Sequence, residues 1–219
     1  MFTQPNAAPT RRAETLAERG AGDPQPGPLA RALDRLLEAT IVGSFSRVGL
    51  MARRATQPWP LPPRLDGQVV VVTGASSGIG RAAALALGSL GAEVWVVGRD
   101  RDRTEAVAGA IRSAGGRAEG ALLDVADGAA VDAFADRFGS RHDRLDGLVH
   151  SAGALLADYA VSAEGFELTV ATHVLGPYRL TWRLLPQLRP AGRSTIVTVS
   201  SGGMYTERFD LDRLEMEPA

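Results

Sequence analysis

Apolar and polar positions change their period several times along the chain, and the changes mark an alternation of strands and helices. Gln68-Val69-Val70-Val71-Val72 is a β-branched run too short for a typical helix, so 68–72 predicts a buried parallel strand. A helix is expected from Arg81, a strand over 93–97, and a helix over 101–114 with Val107 and Ile111 on one face, ended by Gly115-Gly116. A strand over 117–122, a helix over 129–138 and a strand over 147–150 follow. Phe166, Val170, Val174, Tyr178 and Leu185 recur at spacings near four, which predicts one long helix over 164–188, closed by Pro186 and Pro190. Residues 195–199 read as a fifth strand. Strands alternating with helices predict an α/β fold, a doubly wound parallel sheet of the Rossmann type, in which ligands bind at the carboxyl ends of the strands.

Before this region the pattern differs. Residues 1–28 are rich in Pro, Gly, Gln and Ala with no hydrophobic period, so disorder is expected there, and no signal-peptide stretch is present. Leu29, Leu33, Leu36, Leu37 and Ile41 alternate with Arg31, Asp34, Arg35 and Glu38, an amphipathic helical spacing that could continue past Gly43. Pro58, Pro60, Pro62 and Pro63 then make a stiff linker. The expected division is 1–28, a helical extension with its linker over 29–64, and the nucleotide-binding domain over 65–219. Charges at short intervals exclude a membrane span by the extension; packing on the main domain and peripheral contact with a membrane surface through Arg47, Arg53 and Arg54 both remain open.

Composition narrows the classes. At 219 residues and 45% hydrophobic content the chain can bury one sizeable core. A net charge of −1 gives no reason to expect nucleic acid as a partner. With no cysteine, disulfides and thiolate metal sites are excluded, and His142, His150 and His173 are too dispersed for a ligand cluster, so no metal is expected. A cytoplasmic location fits the absence of disulfides. Every basic residue is Arg: the sequence holds no Lys.

Between the first strand and its helix runs Thr73-Gly74-Ala75-Ser76-Ser77-Gly78-Ile79-Gly80. Glycines there allow the strand to reverse, a phosphate to approach the backbone, and the helix to begin in close packing; the first N–H groups of that helix form an anion site. The spacing Gly-x-x-x-Gly-x-Gly, preceded by Thr, resembles the signature of the short-chain dehydrogenase/reductase family. The resemblance implies an oxidoreductase with a nicotinamide cofactor, bound through Gly74, Ser76, Ser77, Gly78, Ile79 and Gly80.

After the second strand, where an acidic residue would accept from the ribose 2′-hydroxyl of NAD, stand Gly98-Arg99; a guanidinium suits the 2′-phosphate of NADP, so NADP is expected over NAD. The alternative is an exposed Arg before Asp100 as a helix cap. The resemblance places Asp124 and Val125 against the adenine, though Asp124 also reads as a helix cap. Ser151-Ala152-Gly153 stands where the family shows Asn-Ala-Gly, and His173 where it has an Asn that holds a catalytic water; His173 is the candidate for a proton relay. Val199-Ser200-Ser201-Gly202-Gly203-Met204-Tyr205 resembles the retinol-dehydrogenase-like branch, and in that register the catalytic Ser is Ser201.

The family pairs this Ser with Tyr-x-x-x-Lys, which the sequence lacks: Tyr205 follows Ser201 by four residues, and Tyr159 and Tyr178 precede the strand. In the resembled branch that Tyr would fall beyond Ala219, so the domain is expected to be C-terminally incomplete. The implied activity is interconversion of an alcohol and a carbonyl on a small-molecule substrate, by a protein whose full-length form could be a homo-oligomer. This chain alone is expected to be inactive, and a nucleotide-binding module without catalysis is the competing class.

Overall fold

The computed structural model describes residues 27–38, 46–56, 62–156 and 158–201, which fall into two compact units divided after Leu61. The expectations for residues before Gly27, for Ile41 and Gly43, for the linker over 57–61 and for Tyr205 lie outside the described residues.

In the first unit the amphipathic stretch forms two helices, α1 (Pro28–Glu38) and α2 (Arg47–Thr56). Arg53 Nε donates to Asp34 Oδ1 at 2.5 Å and ties them together. Leu33 and Leu37 are half-buried, whereas Leu29 and Leu36 on α1 and Val48 and Met51 on α2 are exposed. Neither helix is long and apolar enough to cross a membrane.

The second unit is a five-stranded parallel sheet in the order β3-β2-β1-β4-β5. Its strands are β1 (Val69–Thr73), β2 (Glu93–Gly98), β3 (Arg117–Leu122), β4 (Gly147–His150) and β5 (Thr195–Thr198). Alternation of side chains splits the core between the two faces. Val71, Trp95, Val97 and Leu148 point to one face and meet α5 (Gly128–Gly139) through Val131, Phe134 and Phe138. Val70, Val72, Val94 and Val96 point to the other and meet α3 (Gly78–Ser89) and α4 (Arg101–Ser113) through Ala84, Val107 and Ile111. Trp95 is fully buried, with the rings of Phe134 and Phe138 meeting it edge-on at 5.9 and 5.1 Å. A Cβ on Gly88 would stand 2.7 Å from Ile111 Cγ2, so the missing side chain is what lets α3 and α4 pack.

The expected long helix over 164–188 is corrected to a broken series: α6 (Leu168–Val170), a π-helical turn (Ala171–Leu175), α7 (Gly176–Arg183) and α8 (Leu185–Leu188). Glu167 caps the start, accepting from the amides of Thr169 and Val170 at 2.9 and 2.8 Å. Pro177 offers no N–H to the preceding turn, and the helix widens there, the Gly176 amide reaching back to the Ala171 carbonyl. Pro186 breaks it again at Leu184. The inward face is also not the one the large residues suggest. Ala171, Gly176, Leu180, Leu184 and Leu188 are buried, whereas Val174, Tyr178 and Trp182 are exposed. A side chain on Gly176 would overlap the Val125 carbonyl, so small residues bring this helix onto the sheet. Ion pairs from Arg179 and Arg183 to Asp132 then hold α7 on α5.

Candidate functional site

The carboxyl ends of the strands surround a cleft of about 510 Å³. Its floor is the turn between β1 and α3. Gly74 and Gly78 adopt φ of +67° and +52°, a conformation that favours glycine. A Cβ on Gly74 would lie 2.5 Å from the Ser151 carbonyl oxygen, and one on Gly80 would overlap the Gly74 carbonyl, so both positions are closed by backbone. Around Gly78 there is open space within 4 Å of where a Cβ would stand. Ser77 is the N-cap of α3 without using its side chain, and the Ala75 amide donates to the Val97 carbonyl at 3.0 Å, which fastens the turn to β2. Ser76, Ser77 and Ile79 border the same cleft. Closed glycines on the protein side, an open one facing the cleft and a helix N-terminus behind it fit a dinucleotide pyrophosphate.

The other strand ends contribute in order. Arg99, directly after β2, is exposed and lines the cleft. Asp124 and Val125 follow β3 on the same wall. Asp124 Oδ1 accepts from the Ala126 amide at 3.0 Å, and the cap of α5 is Asp127, which corrects the alternative reading of Asp124 as the helix cap. After β4, Ser151, Ala152 and Gly153 line the cleft, positioned by Thr73: its hydroxyl receives the amides of Ser151 and Ala152 at 3.2 and 3.3 Å and donates to the Val149 carbonyl at 3.3 Å. All the residues expected to bind the cofactor therefore border one cavity.

The two expected catalytic residues stand at its margin rather than in its wall. His173 lies in the π-helical turn beside Thr172, which does line the cleft. Its Nε2 is 3.2 Å from the Ala154 amide and 3.0 Å from the Ala154 carbonyl oxygen. The ring packs where a side chain at Gly153 would be, Cε1 being 2.9 Å from the ideal Cβ position. Ser201, exposed, comes two residues after Val199, a lining residue whose amide donates to the His150 carbonyl at 2.8 Å.

The sequence reading did not single out several residues that the fold brings here. Thr73 belongs to the glycine signature without being a candidate there, and Arg103, three residues after the α4 cap Asp100, lines the cleft. His150, under the cleft at the end of β4, is buried. Its Nε2 lies 2.9 Å from Thr181 Oγ1, and Nδ1 has no hydrogen-bond partner among the described residues. Burial pushes its pKa down to about 4, so it is neutral at physiological pH.

Comparison with known proteins agrees with this geometry. The family model described as short chain dehydrogenase matches residues 68–208. Dehydrogenase/reductase SDR family member 13 from Bos taurus is 41% identical over 153 residues, covering 69% of this chain and 40% of the relative. Retinol dehydrogenase 11 from Homo sapiens is 36% identical, covering 70% of this chain and 49% of the relative. The chain thus spans about half the length of the curated relatives it matches. A metagenomic short-chain oxidoreductase solved in complex with NADP superposes with a TM-score of 0.57 at 38% identity, covering 63% of this chain and 62% of that one. With its glycine turn, its sheet order and its cleft, the chain belongs to the short-chain dehydrogenase family, in the retinol-dehydrogenase-like branch.

Proposed function

We propose that the chain is the cofactor-binding part of an NADP-dependent oxidoreductase that interconverts an alcohol and a carbonyl on a small molecule. The observation that carries the proposal is Arg99, exposed at the end of β2 on the wall of the glycine-turn cleft. A guanidinium there pairs with a 2′-phosphate in bidentate fashion and has nothing to offer a 2′-hydroxyl that needs an acceptor. The NADP in the metagenomic oxidoreductase and the name retinol dehydrogenase among the relatives support cofactor and reaction class.

A bound nicotinamide cofactor would supply or take up the hydride. Of this chain's own residues, Gly74, Ser76, Ser77, Gly78, Ile79 and Gly80 hold the pyrophosphate, Arg99 the 2′-phosphate, Asp124 and Val125 the adenine. Ser151, Ala152 and Gly153 run along the rest of the cofactor; Ser201 orients the substrate oxygen and His173 serves the proton relay. Calorimetric titration with NADP+ and NAD+ tests the proposal. The wild-type chain prefers NADP+, and Arg99→Ala loses roughly tenfold to a hundredfold of that preference. Equal preference in both proteins would sink the assignment.

A second reading, nucleotide binding without catalysis, is favoured by one observation: no Lys, and hence no Tyr-x-x-x-Lys, occurs in the 219 residues. For the helical pair we propose peripheral contact with an anionic membrane surface through Arg47, Arg53 and Arg54, since Leu29, Leu36, Val48 and Met51 are exposed on the same two helices. Flotation with phosphatidylserine-containing vesicles, lost in Leu29→Asp/Met51→Asp, checks it; a chain that stays at the bottom of the gradient refutes it.

A further inference from the structure

Three charged residues close together in sequence, Arg99, Asp100 and Arg103, line the cleft. Asp100 is there for the fold: it is the N-cap of α4, Oδ1 accepting from the Arg103 amide at 3.0 Å. That hydrogen bond is the largest influence holding its carboxyl below the usual carboxylate range, so the cap is an anion at neutral pH. The helix start thereby places a carboxylate one residue from Arg99. At the end of β2 such a group is the natural acceptor for a ribose 2′-hydroxyl and repels a 2′-phosphate. The chain thus carries the residue type for each cofactor side by side.

The arrangement resolves the conflict. Arg103 folds back over the first turn of α4 and donates from Nε to Asp100 Oδ2 at 2.8 Å, so one residue engages both carboxylate oxygens. The start of α4 is also held in place. A Cβ on Gly98 would lie 2.6 Å from Thr104 Oγ1 and 3.2 Å from Ser76 Cβ, so the end of β2 is wedged between the start of α4 and the glycine turn. The backbone that carries Asp100 and Arg103 thereby keeps its place beside the cleft.

We propose that Arg103 is a specificity-determining residue: by pairing its guanidinium with Asp100 Oδ2 it offsets the carboxylate's charge beside the ribose and leaves Arg99 to select a cofactor with a 2′-phosphate. This rests on the reading of Arg99 given above. Arg103 is exposed, and its removal leaves the α4 cap in place.

Calorimetric titration of the 219-residue chain with NADP+ and NAD+ tests the role, on wild type, Arg103→Ala, and Arg103→Ala/Asp100→Asn, in which Asn still caps the helix. In Arg103→Ala the ratio of NADP+ to NAD+ affinity falls by roughly three- to tenfold, with NADP+ weaker and NAD+ tighter. In the double variant, with no carboxylate left to release, the ratio returns to the wild-type value. Equal weakening of both cofactors would mean a merely structural role, an unchanged ratio no role, and a double variant that fails to recover a direct contact of Arg103 with phosphate; each overturns the proposal. A wild-type preference lost in Arg99→Ala but untouched by Arg103→Ala overturns this inference alone, whereas a wild-type chain with no preference for NADP+ removes the Arg99 reading and this one with it.

Discussion

The α-carbon of Gly74 faces the backbone of Ser151 so closely that a Cβ would stand 2.5 Å from the carbonyl oxygen. The turn after β1 and the segment after β4 form the two sides of the cleft, and this contact sets their separation. Gly74→Ala would meet both that clash and a φ of +67°. It is expected to cost about 2–4 kcal/mol of stability and to abolish cofactor binding at moderate concentration. Chemical denaturation with and without NADP+ measures both, and an Ala variant as stable as wild type would show that the loop after β4 is free to retreat.

Buried His150 makes stability fall in mild acid. Its folded pKa of about 4 lies below its ordinary value of 6.5, so the unfolded chain takes up a proton that the folded one refuses. The contribution is intact above about pH 6.5 and is lost as the pH falls from there toward 4, at up to ~1.4 kcal/mol per pH unit. His150→Gln, which keeps a polar group near Thr181, is expected to be less stable at pH 7 but flatter over this window. Denaturation midpoints at pH 7, 6, 5 and 4 give the comparison, and parallel curves for the two proteins would exclude the assignment.

The 219-residue chain is expected to show no dehydrogenase or reductase turnover. Ser201 can orient a carbonyl, but the 219 residues hold no Lys and hence no Tyr-x-x-x-Lys to deliver the proton. Incubation with NADPH and a panel of ketones and aldehydes decides it. Robust turnover that disappears in Ser201→Ala would reveal an acid elsewhere in the chain.

Among the described residues nothing pairs with the outer edge of β5, and Ile196, Val197 and Val199 are exposed. Residues 195–199 are uncharged, free of Pro and largely β-branched, the kind of edge that pairs with another copy. The chain is expected to self-associate, and Ile196→Lys to reduce the association. Size-exclusion chromatography with light scattering reads both; a monodisperse wild-type monomer would refute the expectation.

Much of the site was legible in the chain because its chemistry is local. The order of strands and helices followed from β-branched runs set between helical patterns, and Gly74, Gly78 and Gly80 are constrained by turn geometry that three or four neighbouring residues specify. Arg99 and Asp124 could be singled out because residues at the carboxyl ends of parallel strands face the ligand in any sheet of this kind. The third strand, over Arg117–Leu122, was bounded correctly even though its side chains are only partly buried, because Gly115-Gly116 and Asp124 punctuate it.

What the sequence by itself determined, then, is the alternation of elements, the anion-binding turn and the residue types at the strand ends. Tertiary structure alone decided which face of the 168–188 segment is buried. Spacing favoured Val174 and Tyr178, yet the contact with Val125 admits only Gly176, so close backbone approach outweighed the apolar area of the larger side chains. Tertiary structure likewise decided that Thr73 holds the loop after β4, that His150 is buried neutral, and that Arg103 turns back onto Asp100. Thr73 and the loop it holds are nearly eighty residues apart, His150 and Thr181 are 31 apart, and Arg103 meets Asp100 across the first turn of α4, which exists only once that helix has formed. Local sequence carries propensity and turn chemistry; the pairing of distant backbones, and the charges that pairing brings together, exist only once the sheet has formed.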